Sequence, residues 1–438
     1  MKLLLLKLLM WKLRLLARLT ILRYTPGVVA VTGNVGKTSA KEAIGAVLAR
    51  RYRVRAAAKS FNNELGVPLT IISGTERSGG VRFWCEVILT ACYRLIVRDP
   101  EYPEVLVLEY AIDRPGDMDR LVRIAAPDVA VVTAMGDIPV HVEFFAGPEM
   151  LFREKTKLVK AVTEDGFAVL NADDPKVASA ANLVKGRVIT FGFGEEAGVK
   201  LMVLRNVLEN GNAELRFKLS YGGAVVPVRM ANALGAAAAY AAGAAAAVGI
   251  AFRMNLAEIA AGLESCVTPP GRLRAIPGIR GTLLVDSTYN ASPLATKDAL
   301  DTLKELGGSR KIAVVGDMLE LGKFTVPAHE EIGTQAAKVA DVLVTVGHRA
   351  KFAAEAALAG GMSKGKIHSF LTLADAAHYL DDALKEGDVV LFKASQGVRL
   401  ERVVKRFMRE PMRAEELLVR QEPQWFHEKG LYDDGELE

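Results

Sequence analysis

Short apolar runs alternate with helical stretches along most of the chain. Runs at 27–32, 105–110, 129–134, 167–170 and 187–191 are continuous, as buried strands are. Between them, segments such as 38–50 and 147–163 repeat their apolar positions at the helical period. The alternation predicts a parallel sheet covered by helices. From 197 to 230 alternating runs are separated by turn signals at Asn210-Gly211 and Gly222-Gly223, which predicts hairpins. "NALGAAAAYAAGAAAAVGI", residues 232–250, predicts a helix whose small side chains suit close packing. "CVTPPGR", 266–272, interrupts the chain with two prolines and a glycine. Beyond it, "GTLLVDS", "KIAVVGD", "DVLVTVG" and "DVVLFKAS" predict the strands of a second α/β unit. Residues 411–438 predict a polar tail or a last helix.

A chain of 438 residues exceeds one ordinary core, so two or three domains are expected. Half of it is apolar, which excludes general disorder. The formal charge is +5, but it is unevenly placed. Lys2, Lys7, Lys12, Arg14, Arg18 and Arg23 stand in the first 24 residues without an acid. That segment carries +6 and the remainder of the +5 chain −1, so a basic surface that coats nucleic acid is not supported. The segment lacks the uncharged core and cleavage site of a secretory signal, and its charges interrupt a spanning helix. Two readings stand: a helix on an anionic membrane face, or one packed on the protein's own body or a second subunit. Cys85, Cys92 and Cys266 include no CxxC pair and are odd in number, which fits a reducing cytosol and buried core thiols.

"VTGNVGKTS" follows the first strand and opens a helix. Gly36, Lys37 and Thr38 match a phosphate-binding loop, whose amides wrap phosphate while the lysine reaches the terminal phosphates and the hydroxyl holds Mg²⁺. The usual first glycine is missing: Val31 stands there, and Gly33 lies inside the loop. Glu109 ends the strand "VLVLE", on the side where such sheets bind ligands. His141 follows another strand end, and Lys155, Lys157 and Lys160 share a helix. In the second unit, Asp286 and Asp317 end strands, and Asn290 follows the first of them.

In order and approximate spacing, "TGNVGKTS", "FNNELGVPLT", "EYAIDRPGDM", "HVEFFAGPE", "LNADDP", "PGRL", "DSTYNASP" and "GDMLELG" resemble the Mur ligase family. The likeness spans roughly 28–405 and is greatest to members that add D-alanyl-D-alanine to UDP-N-acetylmuramoyl-tripeptide. The family's loop reads TGxxGKT, with its first glycine where Gly33 stands. The resemblance implies an α/β fold: a P-loop central ATPase domain, mostly parallel with a small antiparallel region, then a Rossmann-like C-terminal domain. The expected divisions are an N-terminal helix at 1–25, a central domain at 26–268, a C-terminal domain at 269–410 and a tail at 411–438.

It further implies ATP-dependent amide ligation in peptidoglycan precursor synthesis, joining a muropeptide carboxylate to D-Ala-D-Ala through an acyl phosphate. Gly33, Asn34, Val35, Gly36, Lys37, Thr38 and Ser39 would hold ATP, joined by Asn232, Arg272, Asp286 and Asn290. Thr38 and Glu109 would hold one Mg²⁺, and His141 would help hold a second. Lys155 matches the lysine that CO₂ carbamylates, which makes it a metal ligand. Asn62, Asn63 and Asp317 would meet substrate.

Two departures stand out. "VPVRMANAL" lacks the Gly-x-His-Asn pattern that the family carries just before the residue matching Asn232. Only 32 residues precede Gly33, too few for the family's UDP-binding domain. UDP is then gripped elsewhere, or another chain grips it, or the acceptor is lipid-linked or polyglutamate-type. A membrane-attached, non-catalytic nucleotide-binding scaffold is the remaining alternative. The expected location is the cytoplasm, at the inner membrane face if residues 1–24 bind lipid.

Overall fold

A computed structural model describes residues 2–56, 61–74, 79–209, 212–426 and 428–433. Among the described residues fifteen strands form two sheets. The first comprises β1 (Gly27–Thr32), β2 (Val54–Ala56), β3 (Val105–Glu109), β4 (Val129–Val132), β5 (Phe167–Asn171), β6 (Arg187–Gly192), β7 (Val199–Glu209), β8 (Asn212–Tyr221) and β9 (Ala224–Ala231). Its order is β2-β3-β1-β4-β5-β6-β7-β8-β9. Pairing is parallel as far as β7 and antiparallel across β7–β8–β9, which are the expected hairpins. The turn signal at Asn210-Gly211 lies outside the described residues.

The sheet is covered on both faces, as continuous apolar strands require. Val29 and Val31 of β1 face one layer, made by α2 (Lys37–Leu48) with helices further along the chain. Val28 and Ala30 face the other. That second layer holds α1 (Lys2–Tyr24), α3 (Gly66–Ile72), α4 (Val81–Ile96), α5 (Asp117–Ile124) and α6 (Pro148–Lys160). After the short α7 (Pro175–Ser179), α8 (Ala236–Ala251) and α9 (Leu256–Glu264) complete the first layer. Close packing there demands small residues. A Cβ on Gly262 of α9 would lie 2.6 Å from the Val47 Cα of α2.

The second sheet runs β10-β11-β15-β12-β13-β14. It contains β10 (Arg274–Pro277), β11 (Leu283–Ser287), β12 (Arg310–Gly316), β13 (Val342–Val346), β14 (Ile367–Phe370) and β15 (Asp388–Lys393). Only β10 pairs antiparallel. Helices α10 (Pro293–Glu305), α11 (Thr325–Val339), α12 (Lys351–Ala359), α13 (Leu373–Ala383) and α14 (Glu401–Phe407) pack on it.

Two findings correct the sequence reading, and a third shows the packing that one of its alternatives expected. Cys85 and Cys92 are exposed on α4, and only Cys266 is buried. Residues 411–426 and 428–433 form no free tail: Leu417, Leu418 and Tyr432 join the core of the second unit. The basic N-terminal segment is a helix that packs on the body, burying Leu13, Ala17 and Thr20. No described helix is long and apolar enough to cross a membrane.

Candidate active site

β3, β1 and β4 lie side by side, so their C-terminal ends bring Glu109, the glycine loop and the segment leading to His141 to one crevice. The loop's glycines are where the backbone needs them. Gly33 has φ 144°, and a Cβ there would lie 2.1 Å from Thr133 Oγ1. Gly36 has φ 84°, in the left-handed region. Asn34 N and Val35 N donate to Ala134 O at 2.7 and 3.3 Å, and Asn34 Nδ2 donates to Met135 O at 2.6 Å. These bonds pin the loop to the exit of β4. The amides at the start of α2 have no intrahelical partner by geometry, which suits them to an anion.

Thr38 Oγ1 donates to Glu109 Oε2 at 2.8 Å, and Asn62 Nδ2 donates to Glu109 Oε1 at 3.1 Å. Lys37 Nζ and Lys155 Nζ both donate to Gly33 O, at 3.0 and 2.9 Å. A half-buried amine and a buried one thus meet at one carbonyl. Burial, and then the Lys37 cation, push the Lys155 amine well below the usual lysine range. Burial also lowers Lys37, while Glu109 opposes the shift.

Lys37, Thr38, Asn62 and Glu109 line a cavity of about 330 Å³ between the two units, together with Ser39, Asn63 and His141. From the second unit Arg272, Asn290 and Lys393 line it. The Arg272 guanidinium lies 4.0 Å over the Tyr289 ring. Lys393 Nζ donates to Ser287 O and Asn290 O at 3.2 and 2.5 Å, and burial pushes its pKa down to about 7. His141 Nδ1 lies 2.5 Å from Glu320 Oε2, a contact between the units. Two cavities adjoin. One of about 450 Å³ shares Val35, Gly36 and Asp298 and adds Asn171, Asp174 and Tyr240. The other, about 560 Å³, lies beyond His141 and is lined by Asn63, Arg114, Arg120 and Met10.

Five expected residues do not line these cavities: Gly33 and Lys155, which are joined through the Gly33 carbonyl, and Asp286, Asp317 and Asn232. Asp286 is buried behind the cleft and accepts from Gly271 N at 3.1 Å and Thr288 Oγ1 at 2.7 Å, so it positions the Arg272 loop. Burial pushes its pKa up to about 6. Asp317 is buried and accepts from Ala350 N at 2.7 Å, Arg349 N at 2.9 Å and Tyr432 Oη at 2.5 Å. Its carboxylate holds the second unit together. Asn232 is an exposed turn residue with φ 55° between β9 and α8.

Glu320, Lys393 and Asp298 belong to the crevice although motif reading passed over them. Lys393 carried a signal, a lysine ending the apolar strand "VVLF". Asp298 carried none, because its bonds to Ala236 N and Ala237 N at 3.0 and 3.3 Å join elements distant in sequence. Among the described residues no three His, Cys, Asp or Glu side chains cluster to hold a metal. A hydroxyl and one buried carboxylate beside a phosphate loop nevertheless fit Mg²⁺, which takes one or two carboxylates and completes its shell with phosphate and water.

Known proteins bear on this geometry. The Mur ligase middle domain family matches residues 89–249, and the Mur ligase glutamate ligase domain family matches residues 271–396. The UDP-N-acetylmuramoyl-tripeptide–D-alanyl-D-alanine ligase of Bacillus subtilis is 30% identical over 389 residues, covering 88% of this chain and 76% of the relative. Its counterpart in Mycobacterium tuberculosis (strain H37Rv) is 31% identical over 404 residues, covering 85% and 71%. The crystal structure of the MurF ligase from Thermotoga maritima in complex with ADP superposes with a TM-score of 0.75 at 30% identity, covering 92% of this chain and 84% of that one. With a glycine loop, a buried Thr38–Glu109 pair and converging lysines in the same two-unit architecture, the chain belongs to the Mur ligase family of ATP-dependent, ADP-forming ligases.

Proposed function

We propose that this ligase joins the carboxylate of a UDP-N-acetylmuramoyl-tripeptide to the amine of D-alanyl-D-alanine in peptidoglycan synthesis. The convergence of Lys37 and Lys155 on Gly33 O, beside Thr38 and Glu109, carries this reading. Two anions must meet for the reaction to start, so fixed positive charge has to lie where they approach. Lys37 and the α2 amides meet the phosphates of ATP, and the neighbouring 450 Å³ cavity takes the nucleoside. The acceptor enters from the 560 Å³ cavity past His141.

A carboxylate oxygen attacks the γ-phosphorus, the bond to the β-γ bridging oxygen breaks, and ADP leaves. The incoming amine then attacks the acyl carbon. It loses a proton, and inorganic phosphate departs with the electron pair of the C–O bond. Arg272 and Lys393 face this charge from the second unit, and closure of the cleft excludes water from the acyl phosphate.

Thr38 and Glu109 would hold Mg²⁺, which supplies charge neutralisation between the phosphates, and His141 is the candidate for a second ion. Lys155 is the candidate for carbamylation. CO₂ adds only to an unprotonated amine, and the lowered Lys155 pKa favours that form. The test is phosphate release by the purified chain. It should require both the UDP-linked tripeptide and D-Ala-D-Ala. Release with a lipid-linked acceptor alone would reassign the substrate, and no release with any carboxylate–amine pair would leave the scaffold alternative.

A further inference from the structure

We propose that the outer faces of α1 and α4 together form a docking surface for an anionic lipid bilayer. At 100° per residue, α1 has two apolar arcs on opposite sides. The inner arc, Leu13, Ala17 and Thr20, is buried in the body. The outer arc is Leu8, Trp11, Leu15, Leu19 and Leu22, with Trp11 58% and Leu22 75% exposed. The exposed cations border that arc: Lys7 and Arg18 on one side, Lys12 and Arg23 on the other. This explains why the charges form no single stripe in sequence. They form two, with the apolar residues between them.

α4 repeats the arrangement of its apolar residues. Val87 and Ala91 face the same core cluster as Leu13 and Ala17. Opposite them, Val81, Cys85, Leu89, Cys92 and Ile96 recur at helical spacing on the exposed side, with Leu89 67% and Ile96 80% exposed. The helices adjoin, since Tyr24 Oη donates to Arg94 O at 2.9 Å. Both inner faces enter one core, so both outer faces point away from it. Among the described residues nothing covers these two adjacent outward apolar stripes.

Charge selects the occupant. On the described side chains of the two helices the exposed charged groups are Lys7, Lys12, Arg18, Arg23 and Arg82, against the acid Glu86, which pairs with Arg82 at 3.2 Å. A second copy would set cation against cation. An anionic bilayer takes leucine and tryptophan at the acyl boundary while the long cationic side chains reach the headgroups. Met10, on the flank of α1, lines the cavity beyond His141. Docking therefore sets that cavity about one helix diameter, roughly 10 Å, from the headgroups. This consequence for the acceptor rests on the ligase assignment; the docking does not.

The test floats the full chain with vesicles of phosphatidylcholine, alone or mixed with phosphatidylglycerol. Flotation is expected only with the anionic vesicles and should fall at high salt. Lys12→Glu with Arg23→Glu should lower vesicle affinity at least tenfold, since each such cation is worth about fivefold. Leu89→Gln with Ile96→Gln, on α4 alone, should lower it severalfold, with unchanged circular dichroism showing that the fold is kept. No flotation of the intact chain, equal flotation with neutral vesicles, or indifference to the α4 pair would each overturn the proposal. So would vesicle-free dimerisation abolished by the same substitutions. ATP turnover with soluble substrates should be unchanged in the α4 variant, so a failed ligase assay and a failed flotation are separate results.

Discussion

Replacing Lys393 with methionine should stabilise the protein in weak acid and destabilise it in base. The amine ends β15 between Ser287 O and Asn290 O, where burial, and then the Arg272 cation, lower its pKa from 10.5 to about 7. The folded state therefore resists a proton that the unfolded chain keeps. Below about pH 7 both states are protonated and the cost is full; it fades as pH rises from 7 towards 10.5. At 1.36 kcal/mol per unit the full cost is about 5 kcal/mol. Methionine removes it but leaves two carbonyls without a donor, at about 1.5 kcal/mol each. The net is a gain of about 2 kcal/mol near pH 6 and a loss of similar size near pH 10. Urea unfolding at the two pH values measures this as a shift of the midpoint in opposite directions. Ligase turnover should fall at every pH, because a cation is lost from the cleft. A stability change of the same sign and size at both pH values would refute the electrostatic account of Lys393.

Other substitutions test the remaining groups. Lys37→Ala should lower turnover about 10²–10³-fold with unchanged circular dichroism, and near-normal turnover would remove it from phosphate binding. Lys155→Ala should be inactive yet partly rescued by added formate or acetate, a small carboxylate in place of the carbamate. Absence of rescue while nucleotide affinity stays normal would count against carbamylation. Gly33→Ala should cost about 2 kcal/mol or more and weaken ATP binding at least tenfold, because its Cβ would meet Thr133 Oγ1 at 2.1 Å. Unchanged nucleotide affinity by titration would show that the loop tolerates another shape.

The two α/β units were legible because their buried strands are unbroken Val/Ile/Leu/Ala runs such as "VVAV" and "VLVL". β2, β10 and β14 were not; they are short and lack the apolar run of a central strand. Gly33, Lys37, Thr38 and Glu109 were legible because each sits at a strand end or helix start that local sequence fixes. The side-chain direction of a strand-ending acid was not. Asp286 and Asp317 both end strands in sequence, yet each is turned inward and saturated by backbone donors. Cys85 and Cys92 mislead for a related reason. Helical spacing placed them on one face, but only the packing of α1 and α3 determines that this face looks outward.

The crevice gathers Lys37, Arg272 and Lys393, with Lys155 bonded to Gly33 O, among the carboxylates Glu109, Asp113 and Asp298. Burial lowers the pKa of Lys37, Lys155 and Lys393, for Lys393 to about 7, so Lys393 is partly unprotonated near neutral pH until an anion arrives. A triphosphate among these amines must raise their pKa values again, because the charged forms gain partners. ATP binding should therefore take up a proton. For Lys393 the window opens at about 7, so uptake should be clear near pH 8, and ATP affinity should fall as pH rises from there. Calorimetry of ATP binding in two buffers of different ionisation enthalpy gives the number of protons directly. Identical heats in both buffers near pH 8 would mean that the lysines are already charged before ATP arrives. The fixed charge would then be in place before binding, and burial would not be what tunes the site.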